Sequence, residues 1–142
     1  MPRYYDRDTI ASMGPQLPDG RRERQGGPLD EVARLSIAAV AEDLVSILGS
    51  KKTAVIGGVK HTRFVQQWIR AEATPQRPEA LRAALVAARI VADIEGRNVA
   101  QAWFSGCNPH LNLESPILTL RDGNEPETFA KVVQAAFELV HR

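Results

Sequence analysis

Residues 51–70 read KKTAVIGGVKHTRFVQQWIR, and this stretch decides how the rest of the chain is read. It fits two short helices joined by a tight turn. The first covers about residues 52–56, with Ser50 as its candidate cap and Gly57-Gly58 closing it; the second covers about residues 61–71. Helices that cross steeply with close backbones need a small residue inside the first, here Ala54. They also need a glycine four residues on, here Gly58, where the turn takes a conformation that side chains resist. Val59 then drops toward the core, and Val65 and Trp68, three apart, anchor one face of the second helix. The opposite face offers Lys60, His61, Thr62, Arg63, Gln66, Gln67 and Arg70, with Lys51 and Lys52 ahead of it. These side chains suit duplex DNA: lysine and arginine meet phosphates, arginine pairs with guanine and glutamine with adenine. Val65 lies six residues after Val59, one more than in many repressors. The offset lengthens the turn and leaves open which of His61, Thr62 and Arg63 points straight into a groove.

Charge supports the same stretch. The whole chain carries a formal net charge of only +1. Yet residues 51–70 hold Lys51, Lys52, Lys60, Arg63 and Arg70 and no acidic residue, whereas residues 29–50 set Asp30, Glu31, Glu42 and Asp43 against Arg34 alone. One basic island in a balanced chain is the pattern of a phosphate-binding face.

Outward from this island the chain reads as all-helical. Residues 29–48 carry an apolar stripe at helical spacing (Val32, Leu35, Ile37, Val40, Leu44, Leu48) and predict one helix, stopped by Gly49. Residues 78–95 predict a long helix with Leu81, Ala84, Leu85, Ala88, Val91, Ala92 and Ile94 inward, ended by Gly96. A shorter helix over about residues 98–104 carries Trp103. Pro109 interrupts regular structure, since it lacks an amide donor and restricts Asn108. Asn108 suits a turn bonded to its own backbone, and Leu111 and Leu113 return the chain to the core. Ser115-Pro116 reads as a cap followed by proline at the first helical position. Residues 125–140 predict the last helix, with Phe129, Val132, Val133, Ala136 and Phe137 inward. Residues 1–28, rich in glycine, proline and arginine, read as a flexible arm whose Arg21, Arg22 and Arg24 are candidate phosphate contacts.

Several function classes are disfavoured. No apolar run reaches the roughly 20 residues of a membrane span, and the N-terminus lacks the pattern of a signal peptide. A single cysteine, Cys107, excludes an internal disulfide, so a reducing cytoplasm is the expected home. The three histidines, His61, His110 and His141, fall in separate segments. Cys107 lies near His110, but a nucleophile also needs an orienting group and a pocket. No catalytic residue, metal ligand or cofactor is expected.

Two stretches carry a resemblance. TAVIGGVK at residues 53–60, continuing through Val65-Gln66-Gln67-Trp68 to Pro75, resembles the DNA reader of Xre-type regulators. Ala102-Trp103-Phe104-Ser105-Gly106-Cys107-Asn108-Pro109-His110-Leu111, followed by Ser115-Pro116-Ile117-Leu118 and Leu120-Arg121-Asp122-Gly123, resembles the toxin-binding domain of the Xre/MbcA/ParS antitoxins. Together the two cover residues 48–140. The resemblance implies a homodimer that binds operator DNA near its own genes and neutralises a RES-domain toxin that consumes nicotinamide dinucleotide. It further implies that the C-terminal end approaches the toxin's active-site entrance, which here matches Leu139, Val140, His141 and Arg142 by position. The expected organisation is thus an arm (1–28), a helix-turn-helix region (29–76) and a helical toxin-binding module (77–142). The alternative is a stand-alone transcription regulator whose last module serves dimerisation or another protein partner.

Overall fold

The structure, a computed structural model, describes residues 27–142. The expectations for Arg21, Arg22 and Arg24, and for the arm up to residue 26, lie outside the described residues. Among the described residues every regular element is helical, as the sequence predicts. In chain order they are α1 (Pro28–Arg34), α2 (Ile37–Leu48), α3 (Ser50–Ile56), α4 (Thr62–Ile69), α5 (Pro78–Glu95), α6 (Arg97–Ser105), a 3-10 turn (Pro109–Leu111), α7 (Pro116–Asp122) and α8 (Pro126–Val140). No helix among them is long and apolar enough to cross a membrane.

The single helix expected over residues 29–48 is two. Leu35 and Ser36 are extended, and the Ser36 hydroxyl accepts a hydrogen bond from the Ala39 amide at 3.1 Å. Serine offers the backbone this alternative to a continuous helix, and at an N-cap it satisfies an amide that the first turn leaves free. The end of α1 is closed from outside: Arg82 of α5 donates to the Val32 carbonyl at 2.8 Å. Gly49 and Gly96 stop α2 and α5 as expected, at φ +92° and +96°. Each also starts the next helix, so Ser50 is the first residue of α3 and not its cap.

Helix α5 is the hub. Ala80, Leu81, Ala84, Leu85, Val86, Ala87, Ala88, Ile90 and Val91 are all buried, which places apolar side chains around most of its circumference, as a helix enclosed by others requires. Its alanines let α2 and α8 approach closely, and α8 answers with Val132, Val133, Ala135, Ala136 and Phe137. One apolar cluster joins Val40 and Leu44 of α2, Val65 and Trp68 of α4, Phe104 of α6 and Val132 of α8. Two inward assignments are corrected. Ile94 is 63% exposed, in the last turn of α5 where no neighbour covers it, and Leu113 is 68% exposed.

Polar side chains lock the helices at their ends. Arg89 reaches Asp43 Oδ2 through Nε (2.8 Å) and Nη2 (2.6 Å), tying α5 to α2. Arg97 and Gln101 of α6 donate to the carbonyls of Ser46 and Ile47 in the last turn of α2. Arg77, just ahead of α5, donates to the carbonyls of Leu120 and Gly123 and to Asn124 Oδ1. Its cation thereby sits on the carbonyl end of α7, where a positive charge is favoured. Arg77→Met keeps the stem and removes these bonds. Because hydrogen bonds to charged groups contribute about 1.5–3 kcal/mol each and are not additive, a loss of roughly 2–3 kcal/mol is expected. Urea unfolding of the variant measures it.

Candidate nucleic-acid interface

Helix α3 ends in a close-packed turn built from two different glycine requirements. The Val59 amide donates back to Ala54 and the Gly58 amide to Val55, both at 3.0 Å. This pair of reverse bonds satisfies the last carbonyls of a helix and needs a left-handed residue between its strands of chain. Gly58 supplies it at φ +77°, in agreement with the expectation. Gly57 meets a different need, which the sequence did not reveal. Its backbone is ordinary (φ −76°), but a Cβ there would stand 2.5 Å from Trp68 Cη2 and 2.9 Å from Cζ3. Trp68 therefore packs its indole edge directly on the Gly57 backbone. Gly57→Ala is expected to cost about 1–3 kcal/mol by overpacking. Trp68→Phe, which withdraws the clashing atoms, should relieve part of that cost in the double variant, read as a non-additive shift in the urea midpoint.

The turn sets α4 against the core by one face. Val65 is fully buried and Trp68 3% exposed, Ala54 is buried beneath them in α3, and Val59 packs partly against the same cluster. Helix α4 starts at Thr62 with extended His61 as its N-cap. It stops at Ile69, short of the expected residue 71, because Ala71 is left-handed (φ +59°) and the Glu72 amide returns to Gln67 at 2.8 Å.

The other face is exposed. Lys60, His61, Thr62, Arg63, Gln66 and Arg70 are all exposed, Lys51 likewise, and Lys52 and Gln67 are half-buried. Phe64 adds a feature that sequence reasoning missed. The Arg63 guanidinium lies over its ring at 5.3 Å and the His61 ring approaches it at 6.4 Å. A cation held over an aromatic face loses part of its rotational freedom, so Phe64 positions Arg63 at the start of α4. The only prior signal was an aromatic residue beside an arginine.

Most of the cations without an oxygen partner among the described residues gather on this face, Arg34 and Lys131 being the others. Among the described residues, no carboxylate pairs with Lys51, Lys52, Lys60, Arg63 or Arg70. By contrast, Arg77, Arg82, Arg89, Arg97, Arg121 and Arg142 each bond to an oxygen of the protein. The pKa shifts also lie elsewhere: a hydrogen bond from Arg121 holds the Asp122 carboxyl below its ordinary value, and that bond raises Arg121 in turn.

The second group of expected residues forms scaffold and tail. Phe104 is fully buried and meets the partly buried Trp103 edge-on at 5.1 Å. Asn108 is buried, and its Oδ1 accepts from the His110 amide at 2.9 Å, the self-bonded turn that the Asn-Pro pair predicts. Its backbone carbonyl also accepts from Leu111 and Leu113. These bonds close the loop and leave Asn112 and Leu113 left-handed, with Leu113 outward. Pro109 opens the 3-10 turn. Pro116 is the buried first residue of α7, and Ser115 Oγ accepts from the Leu118 amide at 3.2 Å. In the tail, Leu139 and Val140 are half-buried. His141 stacks on Phe137 at 5.9 Å, and Arg142 donates to Glu95 (3.1 Å) and to the Leu139 carbonyl (2.6 Å). The tail thus folds back on the end of α5. Among the described residues no three His, Cys, Asp or Glu side chains gather into a candidate metal site. Comparison with protein-family models, with curated proteins and with solved structures returns no match for this chain.

Proposed function

We propose that the chain binds duplex DNA through α3, the Gly57–Gly58 turn and the outer face of α4, and acts as the antitoxin of a toxin–antitoxin pair. One observation carries the DNA reading: among the described residues the five cations of residues 51–70 have no carboxylate partner, while six arginines elsewhere are committed to protein oxygens. Leaving several like charges without partners disfavours the compact state slightly and favours an anionic ligand. In this reading Arg63 and Gln66 meet base edges and Lys51, Lys52, Lys60 and Arg70 meet phosphates.

The antitoxin reading rests on the resemblance of residues 102–123. In it a cytoplasmic homodimer represses its own operon and neutralises a RES-domain toxin, with Leu139, Val140, His141 and Arg142 at the toxin's entrance. Leu139 and Val140 pack against the core, but the last two residues are exposed and Arg142 is held by a surface pair with Glu95, which contributes at most about 1 kcal/mol, so Arg142 can exchange that pair for a partner. No catalytic role and no cofactor is proposed.

The test has two arms. Arg63→Ala with Gln66→Ala should abolish sequence-specific binding in a duplex shift assay, whereas Lys51→Ala with Lys52→Ala should weaken all duplexes alike. Unchanged affinity in both variants rejects the DNA reading. Co-expression with a RES-domain protein from the neighbouring gene should restore growth, and removal of residues 140–142 should lose that protection. DNA binding without protection makes the chain a stand-alone regulator.

A further inference from the structure

The half-buried Arg77 reaches two parts of the molecule that are far apart in sequence. Its stem lies against the turn between α3 and α4: a Cβ on Gly58 would stand 3.2 Å from Arg77 Cδ. At the other end of the same side chain, Nη1 donates to Asn124 Oδ1 at 2.8 Å, and Nη2 donates to the carbonyls of Leu120 and Gly123. These three acceptors form the corner between α7 and α8. One side chain therefore runs from the left-handed glycine of the turn to a corner that lies outside residues 51–70.

The chemistry at both ends makes this a strut. At the corner, a planar guanidinium meets three oxygens in a fixed fork, so the direction of the side chain is set there. Its Nε is buried without a hydrogen-bond partner among the described residues, so every hydrogen bond of the head points to the corner. At the turn, the stem meets backbone with no side chain to yield. Gly58 is held at φ +77°, and the Val59 amide beyond it returns to Ala54 of α3. A shift of the stem thus acts on the turn itself, which sets α4 against α3 and so fixes where Arg63 and Gln66 point.

We infer that Arg77 is a positioning residue for duplex binding: held from the α7–α8 corner, it braces the Gly57–Gly58 turn and thereby aims α4. The inference rests on the DNA reading of α3 and α4 and adds a control to it, since the corner tunes the base contacts without touching the duplex.

The full chain tests this with Arg77→Met, Asn124→Ala and the double variant, all measured where circular dichroism shows them folded. In the unbound chain, Asn124→Ala should shift the amide signals of Gly58 and Val59. Each single variant should bind the selected duplex about 2- to 30-fold more weakly, the range that coupling through packed and hydrogen-bonded side chains gives. Affinity for an unrelated duplex and the salt slope should stay as in the parent, because neither side chain meets a phosphate. Adding Asn124→Ala to Arg77→Met should change nothing further, since the first acts through the second. Additive losses overturn the inference, as do unmoved Gly58 and Val59 signals or an unchanged affinity for the selected duplex. A salt slope lower by about 0.9 in Arg77→Met, with equal losses on both duplexes, marks a direct phosphate contact and overturns it too. A parent that binds no duplex rejects the DNA reading instead, and the amide signals alone then decide whether the corner holds the turn.

Discussion

Replacing Trp68 by alanine is expected to lower the free energy of unfolding by about 3–5 kcal/mol. The indole is 3% exposed, rests on the Gly57 backbone and closes the angle between α3 and α4. Its loss removes apolar surface and leaves a cavity that the turn cannot fill, because Gly57 and Gly58 have no side chains to move in. A domain of this size is stable by only about 5–15 kcal/mol, so the variant should show a large fall in its urea midpoint. A second effect distinguishes Trp68 from other core residues. It packs directly on the turn from α4, so weakened duplex binding should appear under conditions where most of the variant is still folded.

Phe104→Ala is expected to be as damaging, again about 3–5 kcal/mol, with duplex affinity of the folded fraction preserved. The ring is fully buried and packs edge-on against Trp103, an arrangement that adds about 0.5–1.5 kcal/mol beyond area burial. Trp68 and Phe104 belong to one apolar cluster although they lie in different segments of the sequence. Both variants should therefore unfold in a single transition seen alike by fluorescence and far-UV circular dichroism. Two separated transitions in either variant would show that the two segments fold independently.

The elements that were legible in the sequence are those where local pattern and tertiary packing agree. Helix α5 begins at a proline and ends at a glycine, and α7 begins at Ser115-Pro116, both as read from the chain. The side chains of Val65 and Trp68 separate inner from outer face in α4 because three-residue spacing fixes them on one side. What was not legible depends on neighbours distant in sequence. The apolar stripe runs unbroken across Leu35 and Ser36, and a serine in that stripe reads the same whether it points to solvent or caps a new helix. Gly57 and Gly58 look alike as letters, yet one is required by its dihedral and the other by a tryptophan eleven residues on. Arg77 looked like an ordinary loop arginine, but it closes the end of a helix more than 40 residues away. Ile94 kept the helical spacing of the core in a turn that no other helix covers, and Leu113 sits in a loop whose backbone bonds to Asn108 turn it outward. At the candidate interface the identity of the exposed residues was readable. The pairing of Arg63 with Phe64 and the absence of carboxylate partners among the described residues depend on how the folded chain places these side chains.

The central claim is that the unpaired cations around α3 and α4 receive a duplex. The most direct measurement is the affinity of the full chain for duplexes selected from a random library, titrated over a series of salt concentrations. The account predicts an enriched sequence, and a logarithmic affinity that falls linearly with the logarithm of salt by about 0.9 for each phosphate neutralised. The slope should decrease by about 2 in magnitude for each protomer when Lys51 and Lys52 are both replaced by alanine. An affinity indifferent to salt, or no enrichment of any duplex at low salt, would contradict it.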